Sequence, residues 1–175
     1  SGAPISDRVY RNDGGNFVET RSSIGLNYST FGRRSGWVDF DGDGDLDLHA
    51  LAGYRVDKFY RNDGGTFKEV AAELGIRFGE NGSSSNWADV DGDGDLDGLF
   101  ADGDGGSTKL VRNDGSCTDV FAARGLGTHK EGGYASFFDF DCDGGMDLIL
   151  AASNGFFLYR NLGESFEEVP LVLPS

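Results

Sequence analysis

The sequence predicts an all-β protein made of repeated four-stranded antiparallel units, and three observations support this. The chain of 175 residues contains 29 glycines, which disfavours long helices because each glycine costs about 1 kcal/mol in a helix interior. Clusters of aspartates begin at Asp39, Asp89 and Asp139, at a constant offset. Short aromatic-rich segments lie between Gly, Asn and Asp turns, a pattern typical of antiparallel strands.

Composition excludes several classes of protein. The length fits one domain or one compact repeat array. The formal net charge of −15 argues against nucleic acid as a partner. Hydrophobic residues make up 38% of the chain, too many for a disordered acidic tail. No apolar run approaches the roughly 20 residues that a transmembrane helix needs. The cysteines, Cys117 and Cys142, are compatible with one disulfide or with two free thiols.

The repeat extends well beyond the aspartates. An aromatic residue lies two positions before each cluster, at Trp37, Trp87 and Phe137, and we predict that these aromatics lie in the blade core. The segment YRNDGG occurs at 10–15 and 60–65, and it returns as VRNDG from Val111 and as YRNLG from Tyr159. Because these matches are co-linear, the sequence predicts successive copies of one structural unit.

The first complete unit contains four predicted strands. They are Gly36–Phe40, Asp47–Leu51, Lys58–Asn62 and Thr66–Val70. The chain begins with only the third and fourth strands of such a unit, at 8–12 and 16–19. A four-stranded unit of this length is typical of one propeller blade. We therefore predict a β-propeller-like array with a half blade at 8–20 and full blades at 36–70, 86–120 and 136–169.

Three and a half blades do not close a propeller, since closed rings contain about four to eight blades. Three explanations stay open at this point. The tail Pro170–Ser175 supplies a missing strand, other chains complete the ring, or the sequence is a fragment. The predicted array is accordingly either open or completed by another chain.

The aspartate clusters predict metal sites. In the first cluster, DFDGDGDLDL, Asp occupies positions 1, 3, 5, 7 and 9 counted from Asp39. Carboxylates this crowded repel each other unless a cation compensates them. An oxygen-only ligand set suits Ca²⁺ better than Mg²⁺, which demands strict octahedral geometry. The alternative is a solvated acidic turn. An EF-hand is excluded because position 12 is Ala50, Phe100 or Leu150 instead of Glu.

The third cluster, DFDCDGGMDL, has Gly145 at position 7. We therefore predict that position 7 contributes its backbone carbonyl and that positions 1, 3, 5 and 9 contribute side chains. The predicted carbonyl ligands are those of Asp45, Asp95 and Gly145. The predicted side-chain ligands are Asp39, Asp41, Asp43, Asp47, Asp89, Asp91, Asp93, Asp97, Asp139, Asp141, Asp143 and Asp147. Each full repeat would hold one Ca²⁺, three in total, and we favour a structural role for these ions.

The loop D-x-D-G-D-G-x-x-D, placed between a Trp-containing strand and an apolar strand, resembles the FG-GAP repeat of integrin α-chain propellers. The YRNDGG-x-F segment is similar to the VCBS-type branch of that family. The resemblance covers 8–169. It implies a β-propeller, structural Ca²⁺ in the blade loops and an extracellular or cell-surface location. The family also contains adhesion proteins, lectins and non-catalytic domains of enzymes.

The first functional hypothesis is a non-enzymatic extracellular protein that acts in self-association or adhesion, with other protein chains as partners. Its motivation is the half blade, whose unpaired edge could recruit a further strand or build a filament. The alternatives are a glycan-binding, lectin-like propeller and a fragment of a larger surface protein. No catalytic residue is predicted. Asn27 and Asn81 begin N-glycosylation sequons whose use the sequence leaves open.

Overall fold

The computed structural model describes residues 8–26, 31–53, 57–76, 82–102, 108–115, 117–127 and 132–171, and within these ranges every regular element is a β-strand. A half sheet contains β1 (Tyr10–Asp13) and β2 (Asn16–Glu19). Sheet 1 contains β3 (Phe31–Val38), β4 (Asp47–Gly53), β5 (Lys58–Asn62) and β6 (Phe67–Glu69). Sheet 2 contains β7 (Gly82–Ala88), β8 (Asp97–Asp102), β9 (Lys109–Asn113) and β10 (Cys117–Asp119). Sheet 3 contains β11 (Gly132–Phe138), β12 (Asp147–Ala152), β13 (Gly155–Asn161) and β14 (Phe166–Val169).

Each complete sheet is an antiparallel meander in which consecutive strands are neighbours. This confirms the predicted all-β array of four-stranded blades, preceded by a two-stranded half blade. The tail from Pro170 adds no strand where it is described, at Pro170 and Leu171. No helix in the described ranges is long and apolar enough to span a membrane.

The first strand of each sheet differs from the prediction. It begins at Phe31, Gly82 and Gly132, four to five residues before the predicted units at 36, 86 and 136. Pairing of Phe31 with Gly53 extends the ladder, and a bulge between Gly32 and Arg34 shifts the register. The residues that begin these strands show no apolar alternation, so the sequence pattern did not predict them as strand. They are in the sheet because their backbones pair with the second strand.

The hydrophobic core lies between the sheets. Trp87 of sheet 2 packs edge-on against Phe40 of sheet 1, with ring centroids 5.6 Å apart, and it also contacts Phe59. Phe137 is partly buried and packs against the core between sheets 2 and 3. The prediction of blade-core aromatics therefore holds for Trp87 and Phe137. It is wrong for Trp37, which is 50% exposed; among the described residues, the sheet that precedes sheet 1 has only two strands.

In sheet 2, a glycine replaces a leucine beside the packed aromatic rings. Gly98 occupies the position that Leu48 and Leu148 fill in the other sheets. A Cβ atom added at Gly98 would lie 2.5 Å from the Phe100 ring and 3.1 Å from the Trp87 ring. The missing side chain therefore makes the space that these two aromatic rings occupy.

The turns that follow the half sheet and sheet 2 join each of them to the next sheet along the chain. The Phe67 backbone N–H donates to the Ile24 carbonyl, and the Phe166 N–H donates to the Arg124 carbonyl, both at 2.7 Å. Leu26 and its equivalents in the later turns are buried between the sheets. Gly25 has φ +89°, and a Cβ there would lie 2.5 Å from the Phe67 carbonyl oxygen. The repeated turn glycine therefore permits a close backbone approach.

The half sheet is exposed along its whole length. Tyr10 is 47% exposed, whereas the equivalent Tyr60 is 3% exposed. Tyr60 is covered because β4 pairs with its strand, through Leu48, whereas among the described strands β1 pairs with β2 alone. Asn27, Asn81 and His129 lie outside the described residues. Both cysteines are free thiols, with Cys117 half-buried and Cys142 exposed.

His49 is buried among aromatic rings between sheets 1 and 2. Its ring lies 5.3 Å from that of Phe100 and 5.8 Å from that of Phe59. Its Nδ1 has no hydrogen-bond partner among the described residues. Burial lowers the pKa of His49 from 6.5 to about 4, because a charged imidazolium loses its hydration there.

We predict that His49 makes the fold sensitive to acid. Because its folded pKa lies below the unfolded value, its contribution to stability is complete above pH 6.5 and is lost as the pH falls towards 4. A shift of this size corresponds to about 3 kcal/mol. The variant His49→Leu should therefore lose about 3 kcal/mol less stability between pH 7 and pH 4 than the wild type, measured by urea unfolding. Parallel losses in the two proteins would contradict this assignment, and aspartate titration cancels because both proteins share it.

Candidate metal centre

An acidic loop joins the first and second strands of every complete sheet: loop 1 spans 39–47, loop 2 spans 89–97 and loop 3 spans 139–147. The aspartate that ends each loop begins the second strand and is fully buried, at Asp47, Asp97 and Asp147. In loop 1, Asp47 Oδ2 accepts from the Phe40 N–H at 2.9 Å and Oδ1 accepts from the Asn62 N–H at 2.7 Å. The same two contacts recur in loops 2 and 3.

This buried carboxylate therefore ties the loop to the end of the third strand. The pKa of Asp97 is raised to about 6, mainly by burial and to a smaller extent by the neighbouring Asp91 and Asp93, although two backbone hydrogen bonds oppose the shift. Burial also raises the pKa of Asp47. The backbone donors alone do not compensate the desolvation of these carboxylates, so a nearby positive charge would stabilise their ionised form.

The aspartate at position 1 organises the glycines of the loop. Asp89 Oδ1 accepts from the Gly92 N–H at 2.7 Å, and its Oδ2 accepts from the Gly94 N–H at 3.0 Å. Gly92 and Gly94 have φ of +79° and +97°, which glycine adopts without strain. Cys142 takes the place of the first glycine in loop 3 and keeps φ at +63°, unlike any other non-glycine residue in the described ranges.

Within each loop, three carboxylates place one oxygen atom each within 4.8 Å of the other two. The three groups are Asp39–Asp41–Asp43, Asp89–Asp91–Asp97 and Asp139–Asp141–Asp147. Together they represent positions 1, 3, 5 and 9 of the predicted ligand set. Asp43, Asp93 and Asp143, at position 5, each accept from the backbone N–H two residues later, and of the three only Asp43 belongs to one of these groups. The carboxylates of Asp45 and Asp95, at position 7, belong to none of these groups.

The residues present fit a hard divalent cation. Asp39 Oδ1 and Asp91 Oδ1 are buried, and they have no hydrogen-bond partner among the described residues. Buried carboxylate oxygens without a donor are costly, and a cation would satisfy them. A donor set made only of carboxylate and carbonyl oxygens suits Ca²⁺.

Arginines of the third strands neutralise the loops only in part. Arg160 Nε lies 2.8 Å from Asp141 Oδ2 in loop 3. In loop 1 the corresponding distance, from Arg61 Nε to Asp41 Oδ2, is 3.9 Å, because Arg61 pairs mainly with Asp63. One guanidinium beside several carboxylates leaves an excess of negative charge in each loop.

Sequence reasoning missed the asparagine that follows this arginine. Asn62, Asn113 and Asn161 each donate their backbone N–H to the buried aspartate of their own sheet. A signal was present in the sequence. The Arg-Asn pair occurs at all four copies of the segment, even where Val111 replaces the preceding tyrosine.

A crevice of about 260 Å³ opens between sheets 1 and 2, beside two of the Asp loops. Its apolar wall contains Phe40, Val70 and Leu74. Its polar lining is formed by Asp41, Arg61, Glu73, Asp95 and Asn113. Asp41 belongs to loop 1 and Asp95 to loop 2, so the two loops shape the opening from both sides.

Comparison with known proteins supports the repeat assignment. Residues 39–100 match the family model of the FG-GAP-like repeat, and this segment contains loops 1 and 2. The FG-GAP resemblance is therefore confirmed there, whereas the VCBS-type likeness stays a prediction. The sequence matches no curated protein.

A solved structure resembles most of the chain. It comes from work on the specific recognition of non-reducing terminal N-acetylglucosamine by an Agrocybe aegerita lectin. The two chains are 25% identical, and the superposition has a TM-score of 0.55. It covers 95% of this chain and 46% of the lectin chain, so this chain spans less than half the length of that protein.

Proposed function

For a β-propeller-type chain that carries FG-GAP-like repeats, we propose a non-enzymatic, extracellular function: glycan binding, with Ca²⁺ held structurally in the three Asp loops. The observation that carries this proposal is the crevice between sheets 1 and 2, because its walls are formed by two of the loops that would hold the ions. The likeness to the fungal lectin supports the choice of ligand class.

The role of Ca²⁺ would be to compensate carboxylates that the fold has gathered and partly buried. Asp91 offers an unpartnered oxygen, and Asp97 holds the end of the loop against the third strand. A cation that binds only the folded chain stabilises it by mass action. The loops would thereby hold the crevice walls in one conformation.

The crevice has the chemistry of a small sugar site. Phe40, Val70 and Leu74 offer an apolar surface, while Arg61 and Glu73 offer a donor and an acceptor for hydroxyl groups. Its volume is slightly below the range for drug-sized ligands, which suits a single sugar residue. Lectin-like binding therefore needs no rearrangement of the sheets.

The non-enzymatic and extracellular parts of the proposal have separate support. His49 is buried among aromatic rings and cannot reach a substrate. The loop carboxylates are assigned to cations and not to proton transfer. Extracellular Ca²⁺ modules bind with Kd values of about 10⁻⁴–10⁻³ M; if the Asp loops bind in this range, they would fill only outside the cell.

Removal of Ca²⁺ should lower the melting temperature and increase protease sensitivity. At a hundredfold excess of Ca²⁺ over Kd, each site contributes about 2.7 kcal/mol to the free energy of unfolding. We expect Asp91→Ala to lower Tm in Ca²⁺ but to keep or raise Tm in EDTA, since it removes a carboxylate from a repelling cluster. Asp95→Ala is the matched control, because position 7 would offer only its carbonyl, and its Tm in Ca²⁺ should stay near the wild-type value. Calorimetry without any Ca²⁺ heat at millimolar concentration would reject the metal proposal.

Glycan binding should depend on Arg61. We expect Arg61→Gln to lose at least tenfold in affinity for N-acetylglucosamine or another sugar identified on a glycan array, measured by titration in Ca²⁺. Loss of a charge-assisted hydrogen bond accounts for a change of this size. Arg11→Gln is the control, since Arg11 pairs with Asp13 at 2.7 Å as Arg61 pairs with Asp63 but lies in the half sheet. A silent array, or equal losses in both variants, would rule out this crevice as the site.

A second function, self-association in adhesion, is favoured by the exposed half sheet. The free edge of β1 presents backbone donors and acceptors that β5 uses to pair with β4. At the other end of the array, Phe138 and Phe156 are exposed on sheet 3. A strand from another chain could extend the half sheet by β-addition.

If this second function operates, the protein should form oligomers whose mass rises with concentration in Ca²⁺, as measured by sedimentation velocity. Tyr10→Asp should reduce that association, because it places a carboxylate at the free edge. Thr118→Asp adds the same charge to β10, the outer strand of a complete sheet, and should leave the association unchanged. A strictly monomeric wild type would exclude self-association through this edge.

A further inference from the structure

The third strand of sheet 2 ends in an asparagine that contacts two Asp loops at once. The Asn113 backbone N–H donates to Asp97 Oδ1 at 2.9 Å, and its side-chain Nδ2 donates to the Phe40 carbonyl at 3.0 Å. Asp97 ends loop 2, whereas Phe40 belongs to loop 1 of the preceding sheet. Asn113 is buried, so its amide joins the two loops in the protein interior.

Sheet 3 repeats this arrangement. The Asn161 N–H donates to Asp147 Oδ1, and its Nδ2 donates to the Val90 carbonyl, both at 2.8 Å. The Val90 N–H in turn donates to Asp97 Oδ2 at 3.1 Å. The hydrogen bonds therefore form one continuous buried path. Its members are Asp147, Asn161, Val90, Asp97, Asn113, Phe40 and Asp47.

Asn62 is the matching residue of sheet 1 and lacks the contact between sheets. Its backbone N–H donates to Asp47 Oδ1, as in the other sheets. Its Nδ2 donates to the Leu46 carbonyl at 3.1 Å, within its own loop. In the described ranges no Asp loop precedes loop 1. Asn62 is therefore an internal reference: it shows the contacts of this asparagine when it bonds to one Asp loop only.

We propose that Asn113 and Asn161 couple the three Asp loops, so that a cation in one loop raises the affinity of the adjacent loop. This inference rests on the proposed Ca²⁺ binding. A cation in loop 2 would fix Asp97, which holds the Asn113 N–H. The Asn113 amide then fixes the Phe40 carbonyl and pre-organises loop 1. A pre-organised loop loses less conformational entropy on binding, and the coupling is reciprocal.

The coupling can be measured loop by loop with NMR, in titrations of the 175-residue chain with Ca²⁺. The backbone amides of Gly44, Gly94 and Gly144 report each loop, because each donates to the aspartate at position 1. With loop 2 disabled by Asp91→Ala, we expect the Ca²⁺ affinities of loops 1 and 3 to fall by about fivefold.

Asn113→Ala should abolish the response of loop 1 to Asp91→Ala while loop 3 still responds. Asn161→Ala should give the opposite result, and this second variant serves if the first does not fold. Asn62→Ala is the matched control, and both responses should persist in it. Unchanged affinities of loops 1 and 3 in Asp91→Ala would overturn the coupling and leave Ca²⁺ binding intact. Glycine resonances that do not move up to millimolar Ca²⁺ would overturn both proposals.

Discussion

The buried carboxylate at the start of each second strand is the contact on which the rest of the structure depends. It is removed from water, and it accepts one backbone N–H from its own loop and another from the end of the third strand. A buried anion is costly without such partners. The same group therefore fixes the path of the acidic loop relative to the end of the third strand, and a cation would compensate its charge.

Neighbouring sheets are held together by contacts of two kinds. Aromatic rings such as Trp87 fill the space between neighbouring sheets without directional preference strong enough to fix the loops. Asparagine amides fix the loops, because each amide has one favourable position relative to a carbonyl of the preceding sheet. The crevice lies where both kinds of contact meet, beside Phe40 and Asn113. Stability of the array and the shape of this crevice are consequently linked.

Much of the fold could be predicted from the sequence because the repeat is explicit. The strand Lys58–Asn62 has its predicted bounds, and the acidic loops lie between the first and second strands as expected. The early start at Phe31 could not be predicted, since backbone pairing there needs no apolar alternation. The exposure of Trp37 depends on what lies beside its sheet, and the repeat pattern of the sequence contains no information about that neighbour.

The candidate site was predictable at the level of residue type and less so in geometry. Alternating aspartates indicated which carboxylates converge. The sequence could not separate Asp93, which is exposed, from Asp97, which is fully buried. That difference arises from the path of the chain around the glycines. The role of Asn113 likewise depends on a carbonyl from a different sheet, far away in the sequence.

The glycine at position 98 means that the repeats are not interchangeable parts. Sheet 2 combines Gly98 with Phe100, whereas the corresponding residues of sheet 1 are Leu48 and Ala50. Bulk lost at one position is restored two residues later on the same strand. Shuffling of units, by recombination or by design, would succeed only if both members of such a pair move together with the aromatic residue they accommodate.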